Sequence, residues 1–216
     1  MAVRQKCVII DYGMGNLHSV QGALRAVADN AEIVVSSNSD EILNADRVVL
    51  PGVGAIRDCM IELASKNFAQ VINEVRRTKP LLGICLGLQA MLEHSEENGG
   101  AEGLGLFKGQ VKFFGHDLNE NGTPLKVPHM GWNQVQQSAH PLWAGIENHS
   151  RFYFVHSYYV QAANPAQVVG RCHYGIDFDV ALAQDNVFAV QFHPEKSHQA
   201  GLTLLKNFLR WDGQGQ

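Results

Sequence analysis

The sequence predicts an α/β fold: an open, mostly parallel sheet flanked by helices, with an added antiparallel layer. Two patterns carry that prediction. The first half alternates short β-branched runs with amphipathic stretches, the rhythm of parallel strands joined by helices on both faces of a sheet. The second half breaks into short runs separated by turn residues, the rhythm of hairpins. Composition agrees: 45% hydrophobic and 18% charged residues suit a globular chain, and 216 residues suit one domain, so 1–216 is read as one.

Taken in order, the parallel half reads as CVII (7–10) and a helix over 15–28, EIVV (32–35), RVVL (47–50) and a helical stretch over 55–78, then LLGI (81–84) and a helix over 87–94. After RVVL, Ile56, Cys59, Met60 and Leu63 recur at i, i+3, i+4 and i+7, one apolar helical face, which makes Cys59 a core residue. The Gly-rich stretch 98–105 reads as a flexible connection. The antiparallel half follows as QVKFF (110–114), an Asn121-Gly122 turn, LKV (125–127), NQVQ (133–136), RFYFV (151–155), YYV (158–160), VVGRC (168–172), VALAQD (180–185) and VFAVQF (187–192), the last two joined tightly at Asp185-Asn186. A helix over 200–211 precedes a Gly/Gln tail expected to fray.

Several function classes lose support at this level. A formal charge of −4 gives no basic footprint for nucleic acid. The four apolar residues before Asp11 are too few for a signal-peptide core, and no run approaches the ~18 apolar residues of a membrane helix, so a cytoplasmic protein is expected. Cys7, Cys59, Cys85 and Cys172 lie far apart, and the ten histidines show no metal-ligand spacing, so neither disulfides nor a metal are expected. DYGMGN follows a first strand, but His18 occupies the third-glycine position and the dinucleotide fingerprint fails.

Three constellations point to chemistry. GICLGLQ (83–89) places Cys85 where a buried strand turns into a helix: Gly83 and Gly87 leave room for a tight turn, the helix start favours a thiolate, and the Leu86 amide is free to donate to an oxyanion. The plain alternative is a buried cysteine between glycines that let helix and sheet pack closely. His193-Pro194-Glu195 ends the VFAVQF run. If extended, it puts both side chains on one side, so Glu195 orients His193 as a base. Pro51-Gly52-Val53-Gly54 forms a strand-to-helix turn at the edge where ligands bind in open parallel sheets, and its amides offer a second oxyanion donor.

These residues resemble class I glutamine amidotransferases, whose Cys-His-Glu triad combines a G-x-C-x-G elbow with a late H-P-E. Five stretches, DYGMGNLHSV (11–20), PGVGAIRDCM (51–60), HMGWN (129–133), YFVHSYYV (153–160) and QFHPEKSH (191–198), look like the branch that works in histidine biosynthesis. The resemblance implies a class I glutamine amidotransferase fold, no cofactor, L-glutamine as substrate, and pairing with the (β/α)8-barrel cyclase subunit of imidazole glycerol phosphate synthase. It assigns catalysis to Cys85, His193 and Glu195, oxyanion and substrate binding to Gly52, Val53, Gly54, Leu86, Gln89, Ser157 and Tyr158, and the partner face to Asn16, Trp132, Asn133 and Lys196. Tyr159 reads instead as half of a cross-strand aromatic pair. Leu88 departs from the Met frequent in such elbows, a nearly volume-conserving change; His198 after HPEKS is also unusual.

Other readings stand beside this one. A paralogous glutaminase subunit would feed a different synthase, for example in surface-sugar amidation. A cysteine hydrolase of another kind would use the same elbow. A catalytically silent regulatory subunit would keep the fold and not the turnover.

Overall fold

Residues 5–214 are described in the computed structural model. The parallel half supplies β1 (Gln5–Ile10), α1 (Leu17–Val27), β2 (Ala31–Ser36), α2 (Ser39–Leu43), β3 (Arg47–Gly52), α3 (Ile56–Ser65), α4 (Phe68–Thr78), β4 (Leu81–Cys85) and α5 (Leu86–Ala90). Next come β5 (His94–Ser95), β6 (Ala101–Glu102), β7 (Gly109–Phe113), β8 (Asn119–Glu120), β9 (Thr123–Pro124), β10 (His129–Gln134) and β11 (Gln136–Gln137). The chain continues through β12 (Arg151–His156), β13 (Tyr158–Ala162), β14 (Val168–His173), β15 (Asp177–Gln184), β16 (Val187–Val190) and α6 (His198–Arg210).

Among the described residues the main sheet has twelve strands, with the spine β2-β1-β3-β4-β16-β15-β13-β7-β5-β6. From β2 to β16 neighbours run parallel, and from β16 through β7 they run antiparallel. The antiparallel strands thus extend the parallel block, while β10 and β12 form a separate ribbon. Period-two alternation assigns the faces. Ile9, Val49, Leu82 and Val190 pack with Val20 and Leu24 of α1 and Leu204 and Phe208 of α6. Val8, Ile10, Val48 and Leu50 pack with Leu63, Ile72 and Val75 of α3 and α4. Each such side chain contributes about 1.5–3 kcal/mol by leaving water. Among the described residues no helix is long and apolar enough to cross a membrane.

Several elements depart from the sequence expectation. The stretch 55–78 is two helices, because Asn67 takes a left-handed conformation at φ 59°, which Asn tolerates better than most residues. The helix expected over 87–94 stops at Ala90. The carbonyls that follow are taken by another segment: Ala90 O accepts from Leu104 N–H at 2.7 Å and Met91 O from Leu106 N–H at 2.8 Å. With the Leu104 bond, Gly103 N–H donating to Glu93 O at 2.9 Å and Gly105 N–H donating to Leu92 O at 3.0 Å tie down the end of 98–105, expected to be a flexible connection. Residues 125–127 form no strand, lying between β9 and a cis Val127-Pro128 bond. In the expected tail, Gln214 O accepts from Trp211 Nε1 at 2.7 Å; residues 215–216 lie outside the described residues.

Candidate active site

Strand register brings the three motifs to one edge. β3 and β16 flank β4, with Gly52 opposite Cys85 and Val190 opposite Ile84. The PGVG turn, the cysteine and the residues leading to His193 therefore leave the sheet side by side at its carboxyl edge, where open α/β sheets bind ligands.

At the elbow the glycines answer to specific atoms. A Cβ on Gly87 would stand 2.0 Å from Leu50 O, and one on Gly52 would stand 2.5 Å from the Tyr12 hydroxyl and 2.8 Å from Leu86 Cβ. Their absence lets α5 start directly over β3. Cys85 takes φ 55° and ψ −109°, a conformation that costs a non-glycine residue about 1–3 kcal/mol and is held by its surroundings. The helix behind it has only five residues, so local amides such as that of Leu86, rather than a long helix dipole, provide the positive end. Cys85 is 8% exposed. The other thiols are inert by comparison: burial pushes Cys7 and Cys172 up to about 12 and Cys59 to about 11. Cys59 sits in the core with its thiol toward the Tyr12 hydroxyl.

His193 and Glu195 meet, though not through extended backbone. β16 ends at Val190, and Pro194–Lys196 form a 3-10 turn. His193 Nδ1 lies 2.8 Å from Glu195 Oε1. The backbone of His193 is fixed to β12, its N–H donating to Tyr153 O at 2.9 Å, while Ser197 Oγ donates to His193 O at 2.6 Å. Nε2 is buried without a hydrogen-bond partner among the described residues. Burial works to lower the His193 pKa, but the neighbouring Cys85 thiol and the Glu195 carboxylate overcome it and raise the pKa to about 10.

A cleft of about 350 Å³ opens over Cys85 and His193, at the small end for a small-molecule site. Val53, Gly54, Leu86, Gln89, Ser157 and Tyr158 line it; Gly52 lies beneath, beside Cys85. Sequence reasoning missed three polar neighbours. Glu97 lines the cleft while its Oε2 accepts from Ile56 N–H at 3.0 Å. His156 lines it too, from the end of β12. Gln191, fully buried, donates toward Cys85 Sγ at 3.8 Å and accepts from Gln89 Nε2 at 3.0 Å. Gln191 stands inside QFHPEKSH, the one signal that pointed to it. A larger cleft of about 630 Å³ across β13, β14 and β15 offers as its thiol only the unreactive Cys172.

The four residues expected at a partner face separate. Trp132 is exposed and stacks on the His198 ring at 4.9 Å, and Lys196 Nζ lies 5.8 Å from the Tyr153 ring centre. Met130, two residues before Trp132 on β10, is also exposed, so one face of that strand presents apolar surface to solvent. Asn133 turns inward, donating to His173 O at 2.8 Å and to His129 Nε2 at 3.2 Å. Asn16 caps α1 through Ser19 N–H. Tyr159 packs at 5.0 Å against Phe114, within an aromatic cluster.

Comparison with known proteins shows what the chain is similar to. The family model described as glutamine amidotransferase class-I matches residues 8–211. The imidazole glycerol phosphate synthase subunit HisH of Pseudomonas putida is 60% identical over 97% of this chain and 99% of that one. That of Methylococcus capsulatus is 57% identical over 94% and 95%. Among solved structures, PurLQS from Thermotoga maritima aligns with a TM-score of 0.70 at 18% identity, covering 96% of this chain and 99% of that one. A glutamine amidotransferase from the same organism aligns with a TM-score of 0.63 at 16% identity, covering 96% and 97%. At such identities the structures speak for the fold alone.

Proposed function

The chain belongs to the class I glutamine amidotransferase family, and from that premise we propose that it is the glutaminase subunit of an imidazole glycerol phosphate synthase, acting in histidine biosynthesis in the cytoplasm. It hydrolyses glutamine and hands the ammonia to a (β/α)8-barrel cyclase subunit. Residues 1–216 act as one glutamine amidotransferase domain. The observation that carries this reading is the convergence of Cys85, His193 and Glu195 on one sheet edge in a chain 60% identical to named subunits of that synthase.

In this reading the Cys85 sulfur attacks the side-chain amide carbon of glutamine. The Leu86 N–H and an N–H of the Val53-Gly54 turn take the charge that develops on the carbonyl oxygen, a contribution worth roughly 10²–10³ in rate per donor. His193, held by Glu195, passes a proton to the departing ammonia. It then draws one from the water that opens the glutamyl thioester. Gly52, Gln89, Ser157 and Tyr158 hold the amino-acid end, and the Glu97 carboxylate offers the substrate ammonium a charge partner. Trp132 and Lys196 face the cyclase, while Asn16 caps α1 and Asn133 supports β10 from behind that face.

The test is a reconstituted pair: the chain is co-purified with the cyclase, and glutamate release is followed with and without the cyclase's ligand. Glutaminase activity stimulated by the liganded partner supports the reading. A pair that fails to associate, or a Cys85→Ala variant that retains glutamine-driven synthesis, overturns it.

A further inference from the structure

β10 and β12 place His129 directly opposite His156, and both are buried. The partners fix every proton in their neighbourhood. Asn133 Oδ1 accepts from Gln134 N–H at 2.8 Å and its Nδ2 donates to His173 O, so the second hydrogen on Nδ2 goes to His129 Nε2 at 3.2 Å. On the other side, His156 Nδ1 lies 2.7 Å from Tyr158 O, which can only accept. Neutral His156 thus carries its proton on Nδ1 and accepts at Nε2, where His129 Nδ1 donates at 2.9 Å. Burial, which lowers His129 to about 4 and His156 to about 3, keeps both rings neutral near pH 7.

The chain does not end at Tyr158. The same carbonyl accepts from Gln89 Nε2 at 3.2 Å, which sets the Gln89 amide so that its other hydrogen meets Gln191 Oε1 at 3.0 Å. That in turn aims Gln191 Nε2 at the Cys85 sulfur at 3.8 Å. Two donor arms therefore meet at the Tyr158 carbonyl, one running from Asn133 on β10 through the two histidines and one from Gln89, which also donates onward through Gln191 to the nucleophile.

We propose that Gln191, His129 and His156 are positioning residues: Gln191 holds the Cys85 thiolate by donating to sulfur, and the His129–His156 pair couples the β10 face that meets the cyclase to the Tyr158–Gln89–Gln191 arm. The proposal rests on the glutaminase reading and adds the internal route by which partner docking bears on the thiol. Measured coupling, not contiguity, decides such a route.

The experiment uses the assembled pair with the cyclase. Ammonia-driven synthesis, which bypasses the glutaminase site, reports assembly; glutamine-driven turnover of the unaltered pair reports the underlying reading. If the unaltered pair makes product from ammonia but not glutamine, the glutaminase reading falls. If it uses glutamine, the variants decide. Gln191→Met is expected to lower glutamine kcat by about tenfold, the scale of one hydrogen bond to a charged group, and to move the pH profile of Cys85 alkylation upward. His129→Phe is expected to lose most of the stimulation given by the liganded cyclase while unstimulated turnover stays. His129→Asn, which keeps a donor at the Nδ1 position, recovers part of it. A coupled route leaves the Gln191→Met/His129→Phe double variant with a stimulation by the liganded cyclase no lower than that of the worse single variant. Multiplying losses, unchanged stimulation or an unmoved alkylation profile overturn the proposal. Nitrogen NMR of the unaltered protein needs no variant: both histidines are expected as neutral Nδ1–H tautomers at about pH 7, and an Nε2–H tautomer at either ring overturns it.

Discussion

His193 Nδ1 and Glu195 Oε1 lie 2.8 Å apart with both side chains almost wholly removed from solvent. Burial alone would lower the histidine pKa; the contacts with Cys85 and Glu195 raise it to about 10. A histidine whose folded pKa exceeds its unfolded value stabilises the fold fully below about 6.5 and loses that contribution as pH climbs through the folded value. Glu195→Gln is therefore expected to cost most stability near about pH 6 and less toward about pH 10, measured by denaturant unfolding at each pH. It should also lower glutamine kcat by roughly 10² or more, since the base loses its orienting partner.

The backbone at Cys85 makes a second prediction, with a sign opposite to the usual one. Gly normally lies about 0.5–1 kcal/mol below Ala in stability because its unfolded chain is freer. At φ 55° and ψ −109° Ala keeps the strain and Gly does not, so Cys85→Gly is expected to unfold at higher denaturant than Cys85→Ala, by about 1 kcal/mol. Both should abolish glutamine-driven synthesis and leave ammonia-driven synthesis in the complex intact. Unfolding midpoints in the ordinary order would show that the elbow is unstrained.

What the sequence displayed depended on whether the signal was local. β3, β4 and the CVII part of β1 are apolar runs buried on both faces, and such runs announce themselves. The end of α5 does not, because its next carbonyls are capped by Leu104 and Leu106, more than a dozen residues on. Cys85, His193 and Glu195 were legible by residue type, yet the expected reason for the His-Glu contact was wrong: a 3-10 turn, not an extended tripeptide, brings them together. Asn67 breaks a helix whose apolar pattern runs on through Phe68 and Val71, both buried. Glu97, Gln191 and the opposed His129 and His156 had no periodic signal, since their roles exist only after distant strands have paired.

Two glycines separate space from propensity. At Gly87 a Cβ would stand 2.0 Å from Leu50 O, a backbone atom with no room to withdraw. Gly87→Ala is expected to cost about 3 kcal/mol or more and to displace the elbow, seen as a lowered unfolding midpoint and lost Cys85 labelling by a glutamine-like electrophile. Gly22, inside α1, has nothing within 4 Å of a Cβ. Gly22→Ala should raise stability by about 0.5–1 kcal/mol with activity unchanged.

Trp132 supplies the last prediction. It stands on β10, 43% exposed, stacked on His198 with a ring separation of 4.9 Å. A large aromatic already ordered by stacking loses little freedom when a partner covers it, and such anchors dominate interfaces. Trp132→Ala is therefore expected to weaken cyclase binding by about tenfold or more, while unfolding of the free subunit shifts by less than about 1 kcal/mol because exposed side chains contribute little to the core. His198→Ala, which removes only the stacking support, should weaken binding less. Titration of the cyclase subunit, followed by intrinsic fluorescence for the His198 variant and by calorimetry for both, checks the order; equal affinities for Trp132→Ala and the unaltered chain would place the interface elsewhere.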